Sequence, residues 1–488
     1  MHSRLIPVKH LALATLAGLA LRIFFIAHRP FYSGDTKFYE ELARNWLDHG
    51  VYGLFVGGQL LPVDMRMPGY PAFLAAIYAV LGRTRTAVML VQAMLDMLTC
   101  YLVARIAARL APAARRTAVA TAAFWLAALC PVTAGYTAAI LTETLAAFFT
   151  ALAFYALLHT LTECSVEFEQ ESPDKPAAYS FVRWVLLGGF FAGLGTLVRP
   201  ETPLILAAAG LVFCLRWRHR RDWAKLALAG TWMAVGLLLP LLPWAARNAR
   251  TLGRIEFLAP RYAETQGDFI PHGFYSWTGT WMLRPRDAYL ATWKLGKEPI
   301  HADSLPGSAF ESDSERARVG ALLSTYNSNL KMTPVLDRDF ADLARERSIR
   351  HPSRTFLWVP FARAAAMWFT PHVELLPYSG DLWPPAERWR NNRVDFGVTL
   401  GLGILNFILF GLVLVGAWRC GNKPGVALAI AFLAIRTAYF TQVHTIEPRY
   451  MIVCFPVLLA LGAQAWALAQ PQLAAAKSAG LVFTHELS

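Results

Sequence analysis

Apolar residues in this chain gather in long blocks rather than at scattered core positions. Segments 11–27, 86–104, 117–134, 144–162, 184–198, 203–215, 226–246, 397–418, 424–440 and 450–469 each approach or reach the ~20 residues that a hydrocarbon core requires. The pattern predicts an all-α polytopic membrane protein of about ten spans. Two shorter elements interrupt it after the first span. In GDTKFYEELARNWLDHG, residues 34–50, Phe38, Leu42 and Trp46 recur every four positions, with Lys37, Glu40, Glu41 and Arg44 on the other faces. That spacing predicts an amphipathic helix lying in the interface, with Asp35 at its N-cap and Gly50 as its stop. The run Ala72–Leu81 is too short to span, and Pro68 and Pro71 start it rather than break it. It predicts a second interfacial or half-inserted helix in the same outer loop.

Residues 245–395 have a different texture, rich in charges and turn residues, with amphipathic stretches at DSERARVGALLSTYNSNL and LDRDFADLARERSIR. They predict a mostly helical external insertion. Its one long apolar stretch, 355–371, carries Pro360, Arg363 and two tryptophans, a composition suited to an interfacial helix. The organisation that follows is a transmembrane core over 1–244 containing a first outer loop at 28–85, the insertion over 245–395, a C-terminal group of spans over 396–470, and a tail at 471–488.

Composition agrees with the pattern: 16% of residues are charged, against about 25% in soluble domains. The net charge of +13 resides largely in short loops, as the positive-inside rule requires, so nucleic-acid binding is excluded as a reading. Arg4 and Lys9 place the N-terminus inside, and parity returns the C-terminus there. The first apolar run could be a signal peptide. Its length, its Arg22 and the motif after it favour an uncleaved span. The six cysteines are scattered, with no C-x-x-C pair, and suggest neither a zinc site nor a disulfide framework. Arg22 and Arg436 lie near enough to span ends to snorkel, while Asp96 is deeper and expected to bond a neighbouring helix.

With this parity Asp35, Asp64, Arg66, Glu143, Arg199, Glu201, Glu447 and Arg449 all fall on one membrane face, a functional-site signal. Each has a structural explanation taken singly: caps for Asp35 and Glu143, ion pairs for Asp64 with Arg66 and Arg199 with Glu201, snorkelling for Arg449. Arg247, Arg250 and Arg254 follow a span on the outside, against the usual bias, and suit anionic lipid head groups. Taken together, a carboxylate can deprotonate a hydroxyl in a displacement, and arginines can hold a departing phosphate. That set suits transfer of a group from a lipid-linked phosphate to an acceptor at the outer surface.

Asp35-x-x-x-Tyr39, R-M-P-G-Y-P at 66–71, T-E at 142–143, L-V-R-P-E ending at Glu201, P-W-x-x-R-N at 243–248 and E-P-R-Y at 447–450 resemble, in order, the GT-C membrane glycosyltransferases. The nearest branch is the bacterial relatives of protein O-mannosyltransferases and of the lipid A aminoarabinose transferase. The resemblance implies an inverting glycosyltransferase with a polyprenyl-phosphate sugar donor and a lipid, glycan or protein acceptor. It implies a bacterial inner-membrane location with the site facing the periplasm. By the same resemblance Asp35 and Glu143 are catalytic, Arg66, Arg199 and Arg449 bind the donor phosphate, and Tyr39, Asp64, Arg247, Glu201 and Tyr450 are further site candidates. A divalent metal is left open, with Asp64 and His444 as conceivable ligands. Asp35 is followed by Thr36 rather than by a second acid, a departure from the protein mannosyltransferases. The rival reading is a transporter or lipid flippase, which would require ionisable groups lining a path at mid-span.

Overall fold

The computed structural model describes residues 5–163, 177–218, 222–260 and 269–468. Cys164, the acidic stretch beyond it and the tail at 471–488 lie outside the described residues. Among the described residues, eight helices are long and apolar enough to cross a membrane. The N-terminal part runs α1 (Val8–His28), α2 (Gly34–His49), a hairpin of β1 (Gly53–Val56) and β2 (Gln59–Pro62), α3 (Gly69–Leu81) and α4 (Arg85–Leu110). Helices α5 (Arg116–Ala128), α6 (Pro131–Tyr136), α7 (Glu143–Glu163), α8 (Ala177–Val198), α9 (Leu204–Trp217) and α10 (Trp223–Leu252) follow. The insertion contributes α11 (His272–Gly279), α12 (Pro285–Leu290), α13 (Asp313–Asn327), α14 (Pro334–Arg350), α15 (Val359–Trp368) and α16 (Pro385–Asn391). The chain then returns to the bundle with α17 (Arg393–Arg419), α18 (Lys423–Thr441) and α19 (Phe455–Gly462), the last preceded by a 3₁₀ stretch, Pro448–Cys454.

Among the described residues, all ten apolar segments fall on helices. Two are shorter than a full span: 117–134 divides at Pro131 into α5 and α6, and 203–215 is the 14-residue α9. The last span and α7 are 78% buried and form the centre of the bundle, whereas α1 and α17, at 17%, face outward. Helices α8 and α10 pack backbone to backbone through small residues. A Cβ on Gly189 would lie 2.3 Å from the Met233 carbonyl oxygen, and one on Gly236 2.4 Å from that of Leu186.

The two span arginines expected to snorkel, Arg22 and Arg436, do not. Arg22 is fully buried and forms an ion pair with Asp96 on α4, while its Nη1 donates to the carbonyls of Gly18 and Ala128, each at 2.8 Å. A guanidinium with a carboxylate and two carbonyls around it is satisfied inside the bundle and need not reach the surface. Arg436 is likewise buried, donating to Glu201 at 3.2 Å and to the Tyr450 carbonyl at 2.8 Å. The cavity beside Asp96, which also touches Glu143, measures about 10 Å³, room for about one water. It is too small to serve as a conduit.

Both interfacial helices of the first outer loop are present, joined by the hairpin, whose Gly57-Gly58 corner takes positive φ at both residues as a tight two-residue turn demands. The N-cap of α2 is Ser33, not Asp35, which sits in the first turn. The inward face also differs from the expected one. Phe38 and Trp46 are exposed, and Thr36, Glu40, Leu42 and Ala43 are buried. Glu40 is tolerated there because Arg85 on α4 grips it bidentately, both contacts at 2.7 Å.

The insertion builds its own apolar core from Phe274, Trp277, Trp281, Tyr326 and Phe340, continuous with Phe440, Ile446 and Met451 of the bundle. Helix α10 runs unbroken through the expected boundary at 244–245, so Arg247 is carried on the end of a span. Buried Arg363 joins the two parts, donating to the carbonyls of Met282 at 2.9 Å, Gly279 at 3.1 Å and Thr441 at 2.8 Å. The π-helical stretch Arg354–Trp358 and the start of α15 that follows it show outward Phe356, Leu357, Trp358 and Phe361, as an interfacial element should.

Candidate active site

The loop before α7 is pinned by polar residues from two other elements. Thr36 of α2 donates to the Ile140 carbonyl at 3.1 Å. Gln92 of α4 donates to the carbonyls of Thr137 and Ala139 and accepts from the Tyr70 hydroxyl. This fixes Glu143 at the start of α7, beside the first turn of α2. Arg66 is held from behind, where the Tyr52 hydroxyl donates to its carbonyl at 2.9 Å. Arg449 is delivered by the Pro448–Cys454 turn at the start of the last span.

These elements bring Asp35, Arg66 and Arg449 together. The Asp35 Oδ1 accepts from Arg66 at 3.1 Å and its Oδ2 from Arg449 at 3.2 Å. Arg449 also pairs with Glu447 and lies 4.0 Å from Glu143. Behind it Arg199 spans Glu143 at 2.9 Å and Glu201 at 2.6 Å, and Arg436 closes the chain on Glu201. Four guanidiniums therefore interleave with four carboxylates. Exposure divides the network. The side chains of Asp35, Arg66 and Arg449 are 26%, 22% and 23% exposed, whereas Glu143 is 1% and Glu201 7%. The first three are partly open to solvent, and the last two are closed off from it.

Burial pushes the Asp35 carboxyl up, but the guanidiniums of Arg449 and Arg66 outweigh it and hold the group below the usual value. Burial also works against Glu201, yet Arg199 and Arg436 hold it down at about 2. Tyr39 packs edge-on against Tyr70, its ring centroid 5.1 Å away, and its phenol is pushed up to about 12 by burial and by Asp35. The Tyr450 hydroxyl donates to Glu447 at 2.9 Å.

The remaining candidates are held by other partners. Asp64 is paired with Arg254 at 2.5 Å, not with Arg66. Arg247 donates to the carbonyls of Val63 and Tyr52, and its guanidinium is flanked by the rings of Tyr52 and Trp244. His444 stacks on Tyr275, ring centroids 4.6 Å apart. Among the described residues no three or more His, Cys, Asp or Glu gather to hold a metal ion. Both Asp35 oxygens face guanidiniums and Asp64 faces Arg254, so these residues as arranged do not fit a divalent cation.

Sequence reasoning overlooked Glu374, which accepts from the Tyr136 hydroxyl at 2.8 Å and lies 3.3 Å from His372. Burial raises its carboxyl, and His372 with Tyr136 brings it below the ordinary value. The segment HVE has no periodic or cap signal that could have marked it.

The whole architecture can be superposed on the archaeal oligosaccharyltransferase AglB from Archaeoglobus fulgidus, solved with an inhibitory peptide and a dolichol-phosphate. The TM-score is 0.50 at 13% identity, over 97% of this chain and 51% of that one. The fold is that of the GT-C membrane proteins. The same oligosaccharyltransferase with Zn and sulfate gives 0.48 at 14% identity, over 97% and 51% of the two chains. ArnT from Cupriavidus metallidurans bound to undecaprenyl phosphate gives 0.39 at 14%, over 93% and 77%. The chain described here spans about half the length of the oligosaccharyltransferase. Neither a protein-family description nor a curated protein sequence matches it.

Proposed function

We propose that this protein is an integral membrane glycosyltransferase that moves a sugar from a polyprenyl-phosphate donor to an acceptor, with inversion, on the non-cytoplasmic face of a bacterial inner membrane. The observation that carries the reading is the accessible Asp35 carboxylate bracketed by Arg66 and Arg449. A phosphate entering this site competes with Asp35 for both guanidiniums, since charge-assisted bonds to phosphate are at least as strong as those to carboxylate. Asp35, freed from its cations, rises towards the basicity of an ordinary carboxylate and becomes a usable general base. It takes the proton of the acceptor hydroxyl. The acceptor oxygen attacks the anomeric carbon from the face opposite the phosphate, and the bond to the phosphate oxygen breaks. Its electron pair stays on the phosphate, where Arg66 and Arg449 stabilise the developing charge.

In this scheme Glu143, Arg199 and Glu201 are positioning residues. They lie behind Arg449 and fix where its guanidinium points. Arg247 steadies the hairpin and the segment leading to Arg66. The test is incubation of purified protein with a polyprenyl-phosphate sugar carrying a labelled sugar. Stoichiometric appearance of free polyprenyl phosphate and labelled acceptor is the expected result. Movement of the intact donor across the bilayer, with its sugar still attached, would replace this reading with transport.

A further inference from the structure

One carboxylate near the ionic network escapes the arginines. Asp35, Glu143, Glu201 and Glu447 each face a guanidinium. Glu374 faces none among the described residues. Its partners are the Tyr136 hydroxyl and His372, and both contact the same oxygen, Oε1, at 2.8 and 3.3 Å. A carboxylate accepts hydrogen bonds at both oxygens. This one is held by Oε1, while Oε2 has no protein partner among the described residues and the side chain is 25% exposed.

The hold on Glu374 is rigid. Asn406 of α17 donates to the carbonyls of Trp368 and Thr370 at 2.7 and 3.0 Å, fixing the segment that leads to it. His372 has a φ of +52°, a conformation that costs a non-glycine residue energy and persists only where the surroundings impose it. Its buried ring packs on Phe455, centroids 5.4 Å apart, directly after the turn that carries Arg449. The Tyr136 carbonyl accepts from Thr144, the residue after Glu143, at 3.3 Å. Glu374 is therefore braced by the elements that deliver Glu143 and Arg449.

The insertion supplies an apolar counterpart. Tyr289 of α12 and Trp293 just beyond it meet edge to face, centroids 4.1 Å apart, and are 56% and 39% exposed. Burial raises the Tyr289 phenol and Glu447 raises it further, with Arg449 opposing and Glu374 adding, so the ring stands in the field of all three charges. Exposed aromatic rings beside a presented carboxylate are complementary to a sugar. Its C–H face buries on the rings, and its hydroxyls donate to the carboxylate. A uronic acid would instead bring a third carboxylate against Glu374 and Glu447, a repulsive pairing.

We propose that Glu374 and the Tyr289–Trp293 ring pair form the subsite for the sugar of the donor, with Glu374 Oε2 accepting from its hydroxyls, and that this sugar carries no carboxylate. The inference rests on the glycosyltransferase reading and names the sugar class and the residues that select it.

The test is binding of polyprenyl phosphate to the full chain in neutral detergent, bare and carrying glucose, mannose, galactose or glucuronic acid, with transfer measured in parallel. At least one neutral sugar should tighten binding relative to the bare lipid, and glucuronic acid should not. Glu374→Gln keeps the shape of the side chain and loses its charge. It should weaken binding of the best neutral donor about tenfold, leave the bare lipid unmoved and narrow the gap to the glucuronate form. Tyr289→Ala, at an exposed position, should weaken the same donor, and Tyr289→Phe should not. Should Glu374→Gln fail to fold, the two Tyr289 variants decide. Equal effects on sugar-bearing and bare lipid would mean a structural role and overturn the proposal. So would a panel in which no neutral sugar exceeds the bare lipid, tight binding of the glucuronate donor, or a change confined to saturation by the acceptor. Selective binding without transfer would refute the reaction and keep the subsite. Transfer by a Glu374→Gln protein with wild-type donor affinity would refute the subsite alone.

Discussion

Arg449 donates to Asp35 at 3.2 Å across 414 residues of sequence, joining the start of the last span to the first turn of the first interfacial helix. That contact joins the two ends of the bundle at one partly exposed point. It also holds the proposed base in its least basic form until an anion displaces it.

Asp35→Asn should abolish transfer while preserving the fold. The amide keeps the shape but cannot accept a proton, and loss of a general base costs on the order of 10²–10⁴ in rate. Single-turnover transfer together with a thermal melt checks this. Because the arginines then face no competing anion, binding of polyprenyl phosphate should tighten. A variant with wild-type turnover would remove Asp35 from the mechanism.

The pH profile has a defined sign. Arg449 and Arg66 lower the folded-state pKa of Asp35, against burial, below its unfolded value. The charged form therefore contributes stability present above the unfolded value, and this is lost as pH falls through the folded one. The acid limb of kcat/KM, which reports the free enzyme, should lie below the ordinary carboxylate pKa of about 3.9. Arg66→Ala removes one of the two cations, so the limb should move to higher pH. An unshifted limb would assign it to another group.

Arg199→Ala should unfold the protein more readily than any change at Asp35. It leaves Glu143 and Glu201, 1% and 7% exposed, without the guanidinium that bridges them. Removing one partner of a buried pair costs about 3–5 kcal/mol. A melting temperature within a degree of wild type would contradict the bridging geometry.

Buried Arg22 and Asp96 should behave as a pair. Arg22→Leu alone strands a buried carboxylate and should destabilise strongly, whereas Arg22→Leu with Asp96→Leu should recover most of the loss, as such replacements often do. Equal damage from the single and double changes would argue against the pairing. Gly236→Leu supplies a packing control. Its side chain would collide with the Leu186 carbonyl and should cost about 1–3 kcal/mol.

The sequence made the spans legible, because twenty apolar residues in a row have few other uses. The insertion and the two interfacial helices were readable for the same reason, their apolar runs being too short or too interrupted to cross. What escaped was pairing at long range. Arg22 and Arg436 read as snorkelling because their partners, Asp96 and Glu201, lie 74 and 235 residues away. The inward face of α2 was misread because Glu40 becomes a buried residue only once Arg85 arrives from another helix. Asp35, Arg66 and Arg449 could be singled out as charges at one boundary. Their contact could not, since it depends on how the last span seats against the first loop.

The interleaved chain of four acids and four guanidiniums also bears on how a catalytic cycle would end. After transfer, a protonated Asp35 cannot compete for Arg66 and Arg449, and the spent isoprenoid carrier stays clasped. Even once that proton escapes to water, the recovered carboxylate faces a phosphate monoester, which carries more negative charge than the diester it came from. Departure of the carrier, rather than glycosidic bond making, would then set the pace of turnover.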